Sequence, residues 1–194
     1  MSLDDNREYI DEKSVPMWNT ALTYGVVGGV LAVVFQYVSY STMFASSSLG
    51  GALGSLLLNL LLYVGIIVFA IKKHRDQELG GYITMGRCLG VGILSVVVAS
   101  LMVGIFDYVY IAFIDPEFPI RQAESMVWMY ELTGLDEDTI EDTIEAMVEA
   151  ARDVASNPNI VTSVLGKAFG GALLGLVLTA IIGAIMRKNP PEMA

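Results

Sequence analysis

Cysteine, histidine and positive charge are all scarce in this chain of 194 residues. Cys88 is the single cysteine and His74 the single histidine, which excludes an intramolecular disulfide, a cysteine-based zinc site and any multi-histidine metal site. Eleven basic residues stand against 21 acidic ones, for a formal net charge of -10. Because phosphate binding needs clustered Lys and Arg, this balance disfavours nucleic acid as a partner.

Apolar residues are abundant instead: 54% of the chain is hydrophobic and only 16% is charged. No charged residue occurs from Ser14 to Ile71, and a bilayer crossing needs roughly 20 helical residues, so this run holds two crossings. Its middle, Ser41–Gly51, has the small and polar residues of a turn. Two further charge-free runs occupy Cys88–Phe106 and Ala168–Met186. The pattern predicts an all-α polytopic membrane protein with four transmembrane helices, near residues 16–44, 49–71, 86–114 and 160–186.

The same runs divide the chain into one transmembrane domain and two tails. We expect an acidic N-terminal tail at residues 1–15, the four-helix domain at 16–187 and a C-terminal tail at 188–194. Basic residues concentrate on one side of the spans, at Lys72, Lys73, Arg87, Arg187 and Lys188, and the long segment on the other side has only Arg121 and Arg152. The positive-inside rule then places both termini in the cytoplasm. A soluble protein with buried core helices is disfavoured, because such helices carry a polar face and these runs have none.

The segment between the third and fourth spans, residues 115–158, carries twelve acidic and two basic residues. Helical spacing places one apolar stripe along its second half, formed by Ile140, Ile144, Met147, Val148, Ala151 and Ala155. A shorter amphipathic stretch runs from Pro119 to Thr133, and Gly134 separates the two. We predict an acidic extracytoplasmic helical hairpin. An EF-hand is excluded because its glycine and glutamate positions hold Glu141 and Met147. A solvated helix face, weak ion binding and docking of a basic partner remain as interpretations.

Glycine pairs at four-residue spacing recur in the spans and predict close helix packing, with homo-oligomerisation as the alternative. They are Gly25 and Gly29, Gly50 and Gly54, Gly86 and Gly90, Gly166 and Gly170, and Gly171 and Gly175. Asp107 and Lys167 lie about equally far along their helices from Arg87 and Arg187, roughly 30 Å from the cytoplasmic boundary. We therefore predict an ion pair between Asp107 and Lys167, with separate snorkelling of the two side chains as the alternative.

The loop between the second and third spans holds Arg75, Asp76, Glu78 and Arg87. Asp76 and Glu78 are placed to pair with Arg75 and Arg87, and the loop is either a structural turn or a contact site for a cytoplasmic partner. His74 follows two lysines, and we expect it to be part of a basic flank.

Four stretches carry a family resemblance: residues 21–25 (ALTYG), 74–87 (HRDQELGGYITMGR), 113–116 (FIDP) and 187–191 (RKNPP). With them the chain, from about Met17 to Glu192, resembles the "domain of unknown function 4199" family of bacterial membrane proteins, found mainly in the Bacteroidota. The resemblance implies a four-helix inner-membrane protein and brings no activity, cofactor or catalytic residue.

The residues show no nucleophile–base pair and no phosphate-binding loop, so we expect neither an enzyme nor a cofactor. The leading hypothesis is a non-enzymatic accessory or scaffold subunit of a larger envelope complex. Its partners would be the lipid bilayer and other membrane or envelope proteins. The alternative is a small-solute or ion transporter or channel, whose polar path would use Gln36, Asn59, Asp107 and Lys167. An intramembrane enzyme acting on lipid is the weakest hypothesis.

Overall fold

The computed structural model describes residues 10–189, and within that range the chain is helical with no strand. A short 3-10 helix, Glu12–Ser14, precedes the first long helix. The α-helices are α1 (Trp18–Thr42), α2 (Leu49–Lys73), α3 (Met85–Val109), α4 (Phe118–Glu124), α5 (Val127–Glu131), α6 (Glu137–Ser156) and α7 (Ile160–Met186). π-helical turns His74–Glu78 and Tyr110–Ile114 extend α2 and α3.

Four of these helices are long and apolar enough to cross a membrane: Trp18–Thr42, Leu49–Glu78, Met85–Ile114 and Ile160–Met186. The all-helical fold and the four candidate spans predicted from the sequence are thereby confirmed. Polar caps set several of the boundaries, because a side-chain oxygen can accept from the first free backbone N–H groups of a helix. Ser48 caps α2 through the N–H of Gly51, Thr84 caps α3, and Asn159 caps α7.

Helix α3 lies at the centre of the bundle and contacts α1, α2 and α7. Small residues allow this close approach. A Cβ atom at Gly25 would lie 2.8 Å from the carbonyl oxygen of Ser95 in α3, and one at Gly104 would lie 2.8 Å from Cα of Val164 in α7. Neither position can hold a larger side chain unless the two helices separate.

Only some of the predicted packing glycines contact another helix. Gly25 and Gly29 face α3, while Gly54 and Gly90 approach the side chains of Phe44 and Met17. The expectation was wrong within this chain for four positions that have open space where a Cβ would lie: Gly50, Gly86, Gly166 and Gly170. The other predicted pair of α7, Gly171 and Gly175, does face Ser100 and Val96 of α3. The two pairs lie on different faces of the helix, so only one of them packs against α3.

The bundle has two unlike ends. At the termini end, where α1 begins and α7 ends, a closed apolar core contains Ile67, Ile71, Leu79, Ile83, Cys88 and Val96. At the insert end, where residues 115–158 connect α3 to α7, only Gly51 and Ser55 of the first half of α2 are buried. The leucines on the outer face of that half, such as Leu56 and Leu61, are exposed. Helix α2 is therefore packed into the bundle at the termini end and only loosely at the insert end.

The acidic insert forms three helices, and α4 and α5 both contact α6. Two short helices, α4 and α5, occupy the stretch that was expected to form one arm of a hairpin. The indole N–H of Trp128 in α5 donates to the carbonyl oxygen of Ser46 at 2.6 Å, which attaches the insert to the α1–α2 turn. No residue of α6 is buried.

Candidate functional site

A polar cavity of about 290 Å³ lies at the insert end, beneath the loosely packed half of α2. The helices α1, α2, α4 and α7 and the α1–α2 turn all contribute to its wall. Its lining residues are Gln36, Ser39, Tyr40, Ala45, Ser46, Ser55, Asn59, Phe118, Gln122 and Lys167. Most of these side chains carry a hydroxyl, carboxamide or ammonium group, in a part of the bundle whose outer surface is apolar.

The cavity brings together residues that are distant in sequence. Gln36, Asn59 and Lys167 were the proposed material of a polar path, and all three line it. The fourth, Asp107, lies beside the cavity: its Oδ2 is 2.9 Å from Nζ of Lys167, and its Oδ1 accepts a hydrogen bond of 3.0 Å from the hydroxyl of Tyr40. The structure thus places Asp107 and Lys167 in the predicted ion pair, and adds Tyr40 as a third member that the sequence did not indicate.

Ser55 is the most unusual residue of the lining. The residue is 6% exposed, and its Oγ has no hydrogen-bond partner among the described residues. Its carbonyl oxygen, by contrast, accepts from the side-chain amide of Asn59 at 3.1 Å. Because a buried polar group without a partner costs about 1–3 kcal/mol, this hydroxyl is a potential contact point for a molecule in the cavity.

Aromatic rings close one side of the cavity. The ring of Tyr40 lies 4.0 Å from that of Phe118, centroid to centroid, and 5.1 Å from that of Tyr110. Phe118 is the first residue of α4, so the insert itself forms this wall. The arrangement offers hydrogen-bonding groups on an apolar support. It offers no free acid–base pair, because the carboxylate of Asp107 is already engaged by Lys167 and Tyr40.

Toward the termini end the polar lining stops. One turn beyond Asn59 in α2, Tyr63 packs against the apolar core, and Ile66 and Ile67 are buried. Val96 of α3 lies in the same core. The cavity is therefore separated by an apolar layer from the polar groups at the termini end.

Those groups form a hydrogen-bonded network around His74, which is 0% exposed. The His74 Nδ1 lies 2.6 Å from Oε2 of Glu78, and its Nε2 lies 2.9 Å from Nε of Arg87. Glu78 also accepts from the hydroxyl of Thr20 in α1 at 2.7 Å, and Arg87 donates to the carbonyl oxygen of Val15. The expectation that His74 is part of a basic flank was wrong, because its ring is enclosed and bonded to Glu78, one helical turn later, and to Arg87 of α3.

The neighbouring loop residues complete the same network. The guanidinium of Arg75 pairs with Asp76 at 2.7 Å and donates to the carbonyl oxygen of Met186 at the end of α7. Glu12 accepts from the backbone N–H and hydroxyl of Thr84. The structure brings Arg75 and Asp76 together as predicted, but Glu78 bonds to His74 and Thr20 rather than to an arginine. Arg75, Glu78 and Arg87 thus join elements of the fold, which favours a structural turn over a contact loop.

A second surface feature is a groove in the insert, about 840 Å³ in volume, between α6 and the α4–α5 region. Its floor is apolar, with Val127, Leu135, Ile140, Ile144 and Val148, and its rim is acidic, with Glu124, Glu131, Glu137, Asp138, Glu141 and Glu145. Asp136 caps α6, and hydrogen bonds from Thr139 hold the pKa of its carboxyl below the ordinary value. In residues 10–189 no group of three or more His, Cys, Asp or Glu side chains is placed to hold a metal ion.

The model of a family described as a protein of unknown function (DUF4199) matches residues 23–188. No curated protein and no solved structure matches the chain.

Proposed function

We propose that this chain, which belongs to the DUF4199 family of unknown function, is a non-enzymatic accessory or scaffold subunit of a larger envelope complex. It would lie in the bacterial inner membrane with both termini in the cytoplasm and the acidic insert outside. The observation that carries the proposal is the groove of the insert, an apolar floor surrounded by acidic side chains.

The groove has the character of a protein-binding surface. An amphipathic helix binds in a groove by laying its apolar face on an apolar floor, and complementary charge sets the partner and its orientation. The rim residues are all acidic, so the matching partner is a basic amphipathic segment of another envelope protein. The apolar residues that α6 contributes to the floor, Ile140, Ile144 and Val148, are only partly buried, so they keep surface for a partner.

Site-specific photo-crosslinking in native membranes tests the role. A crosslinking residue at Ile144, in the floor of the groove, is expected to capture a discrete set of partner proteins. The matched control is Val154 on the same helix, which is exposed and lies outside the groove, and it is expected to capture none of them. The double variant Glu141→Lys with Glu145→Lys is expected to abolish capture at Ile144. A lone monomer with no adduct at Ile144 contradicts the proposal.

A small-solute transporter is the second candidate, and the cavity that collects Gln36, Asn59 and Lys167 is the observation that favours it. Such a role requires a further conformation in which the apolar layer opens. Introducing Ile67→Cys in a Cys88→Ser background places a single thiol in that layer. Labelling of Ile67→Cys by a water-soluble maleimide would support a wetted path, and complete protection would support the accessory role.

A further inference from the structure

We propose that the polar cavity at the insert end binds a small uncharged polyhydroxyl molecule, either free in solution or as the headgroup of a glycolipid. This inference is independent of the accessory role, which depends on the groove of the insert. It also requires binding only, and no movement of the ligand across the membrane.

The lining groups match the hydrogen bonding of such a ligand. The hydroxyls of Ser39, Ser46, Ser55 and Tyr40 and the carboxamides of Gln36, Asn59 and Gln122 are groups that both donate and accept. Sugar and polyol hydroxyls also do both, whereas an anion only accepts and an ammonium only donates. The volume of about 290 Å³ is at the small end of ligand pockets and suits one monosaccharide-sized group.

The charge of the site selects against an ionised ligand. Lys167 is the one charged residue in the lining, and its ammonium is neutralised by Asp107 at 2.9 Å. An anion would have to compete with that carboxylate for Lys167, and a cation would have to approach the ammonium. An uncharged ligand avoids both costs, because it can accept a hydrogen bond from the ammonium of Lys167 without breaking the ion pair.

Ser55 is an independent sign that the site receives a ligand. Its hydroxyl is buried, lines the cavity and lacks a partner in the described chain. Ser55 lies six residues into α2, about 9 Å along the helix axis, and Asn59 about 6 Å further. The buried hydroxyls of Ser100 and Thr179 lack partners too, but they do not line this cavity. Only at Ser55 is there space for a ligand hydroxyl to satisfy Oγ.

Trp128 provides a reporter, because its indole N–H donates to the carbonyl oxygen of Ser46 in the cavity wall. The chain has two tryptophans, so Trp18→Phe leaves Trp128 alone. The probes are glucose, N-acetylglucosamine and inositol in solution, and vesicles with or without monoglucosyl diacylglycerol. We expect at least one probe to change the Trp128 fluorescence saturably and to raise the unfolding temperature. A response to the vesicles alone assigns the ligand to lipid, and a response to the free compounds assigns it to solution.

Two matched serine variants separate binding from folding. Ser55 and Ser100 both have buried hydroxyls without partners, but only Ser55 lines the cavity. Ser55→Ala is expected to weaken the response at least tenfold and Ser100→Ala to leave it unchanged, with both proteins as stable as the parent. Gln122→Leu, from the insert side, is expected to weaken it as well. The inference is overturned if no probe gives a saturable response, if Ser55→Ala responds like Ser100→Ala, or if glucose 6-phosphate binds as well as glucose.

Discussion

The two ends of the bundle differ in how their central polar residues, His74 and Ser55, are bonded. At the termini end, His74 is fully enclosed, and both of its ring nitrogens have partners in Glu78 and Arg87. At the insert end, Ser55 is almost as deeply buried and its hydroxyl has none. Buried polar groups stabilise a unique arrangement when every member is satisfied. The hydroxyls of Ser100 and Thr179 also lack partners, but Ser55 alone of the three borders the polar cavity, where a ligand could reach it. The termini end thus has the properties of a structural clamp, and the insert end those of a receptor site.

Helix α2 explains why the ends differ. In its second half, Ile66, Ile67, Ala70 and Ile71 are buried, so the bundle is closed there. In its first half the leucines point outward and polar residues face the interior, which leaves space that the insert covers with Phe118 and Gln122. The second half of α2 therefore closes the bundle at the termini end, and its first half leaves room for the cavity at the insert end.

The largest effect is expected from breaking the clamp at Glu78. Glu78→Ala removes the acceptor for both His74 and the hydroxyl of Thr20, and leaves two donors buried without partners. Each buried donor left without a partner costs about 1–3 kcal/mol, so we expect a loss of about 3 kcal/mol of unfolding free energy. Equilibrium unfolding in mild detergent would measure the loss.

The control for this variant is Glu149→Ala in α6, which removes an exposed pair with Arg152. Exposed pairs contribute little, so we expect a change of less than about 0.5 kcal/mol. Equal effects of Glu78→Ala and Glu149→Ala would mean that the network at the termini end is not a clamp.

A second, smaller contrast compares a glycine that faces another helix with one that faces open space. Gly25→Ala places a Cβ 2.6 Å from Cβ of Val98 and 2.8 Å from the carbonyl oxygen of Ser95, so α1 must move away from α3. Such overpacking is expected to cost about 1–3 kcal/mol. Gly170→Ala enters open space at the insert half of α7, and the better helix propensity of alanine is expected to stabilise by up to about 1 kcal/mol.

The unfolding temperatures of Gly25→Ala and Gly170→Ala, measured in the same detergent as the parent protein, test both expectations. Destabilisation by Gly170→Ala would show that this face of α7 is covered, as a homo-oligomer through Gly166 and Gly170 would require. A neutral Gly25→Ala would show that the approach of α1 to α3 is not tight.

The sequence was informative where a single physical rule decides the outcome. Runs without charged residues identified the four spans. The equal distances from Arg87 to Asp107 along α3 and from Arg187 to Lys167 along α7 placed the two side chains at the same level. The sequence was less informative where the rotation of a helix determines which residues face a neighbour. Glycines at four-residue spacing occur on two faces of α7, so the spacing did not show that Gly171 packs against α3 and Gly170 does not. The sequence missed the buried role of His74, although Glu78 one turn later was a signal. It named Gln36, Asn59 and Lys167 as a possible polar path but did not predict the cavity that they line, because its other walls come from the α1–α2 turn and from α4, and no local pattern encodes how these pack together.

The smallest effect concerns the pair that borders the cavity. A double-mutant cycle with Asp107→Asn and Lys167→Met measures the coupling between a buried carboxylate and an ammonium whose side chain is 43% exposed. That exposure weakens the interaction, so we expect a coupling energy of about 1 kcal/mol. Lys167→Met alone is expected to cost more unfolding free energy than Asp107→Asn alone. The lysine variant leaves the buried carboxylate with Tyr40 as its remaining partner. In the aspartate variant, the asparagine still accepts the bond from Tyr40, and the ammonium of Lys167 can reach water. A coupling near zero would remove Asp107 as the neutralising partner of Lys167. The cavity would then be cationic, and its preference would move from uncharged polyols to anions.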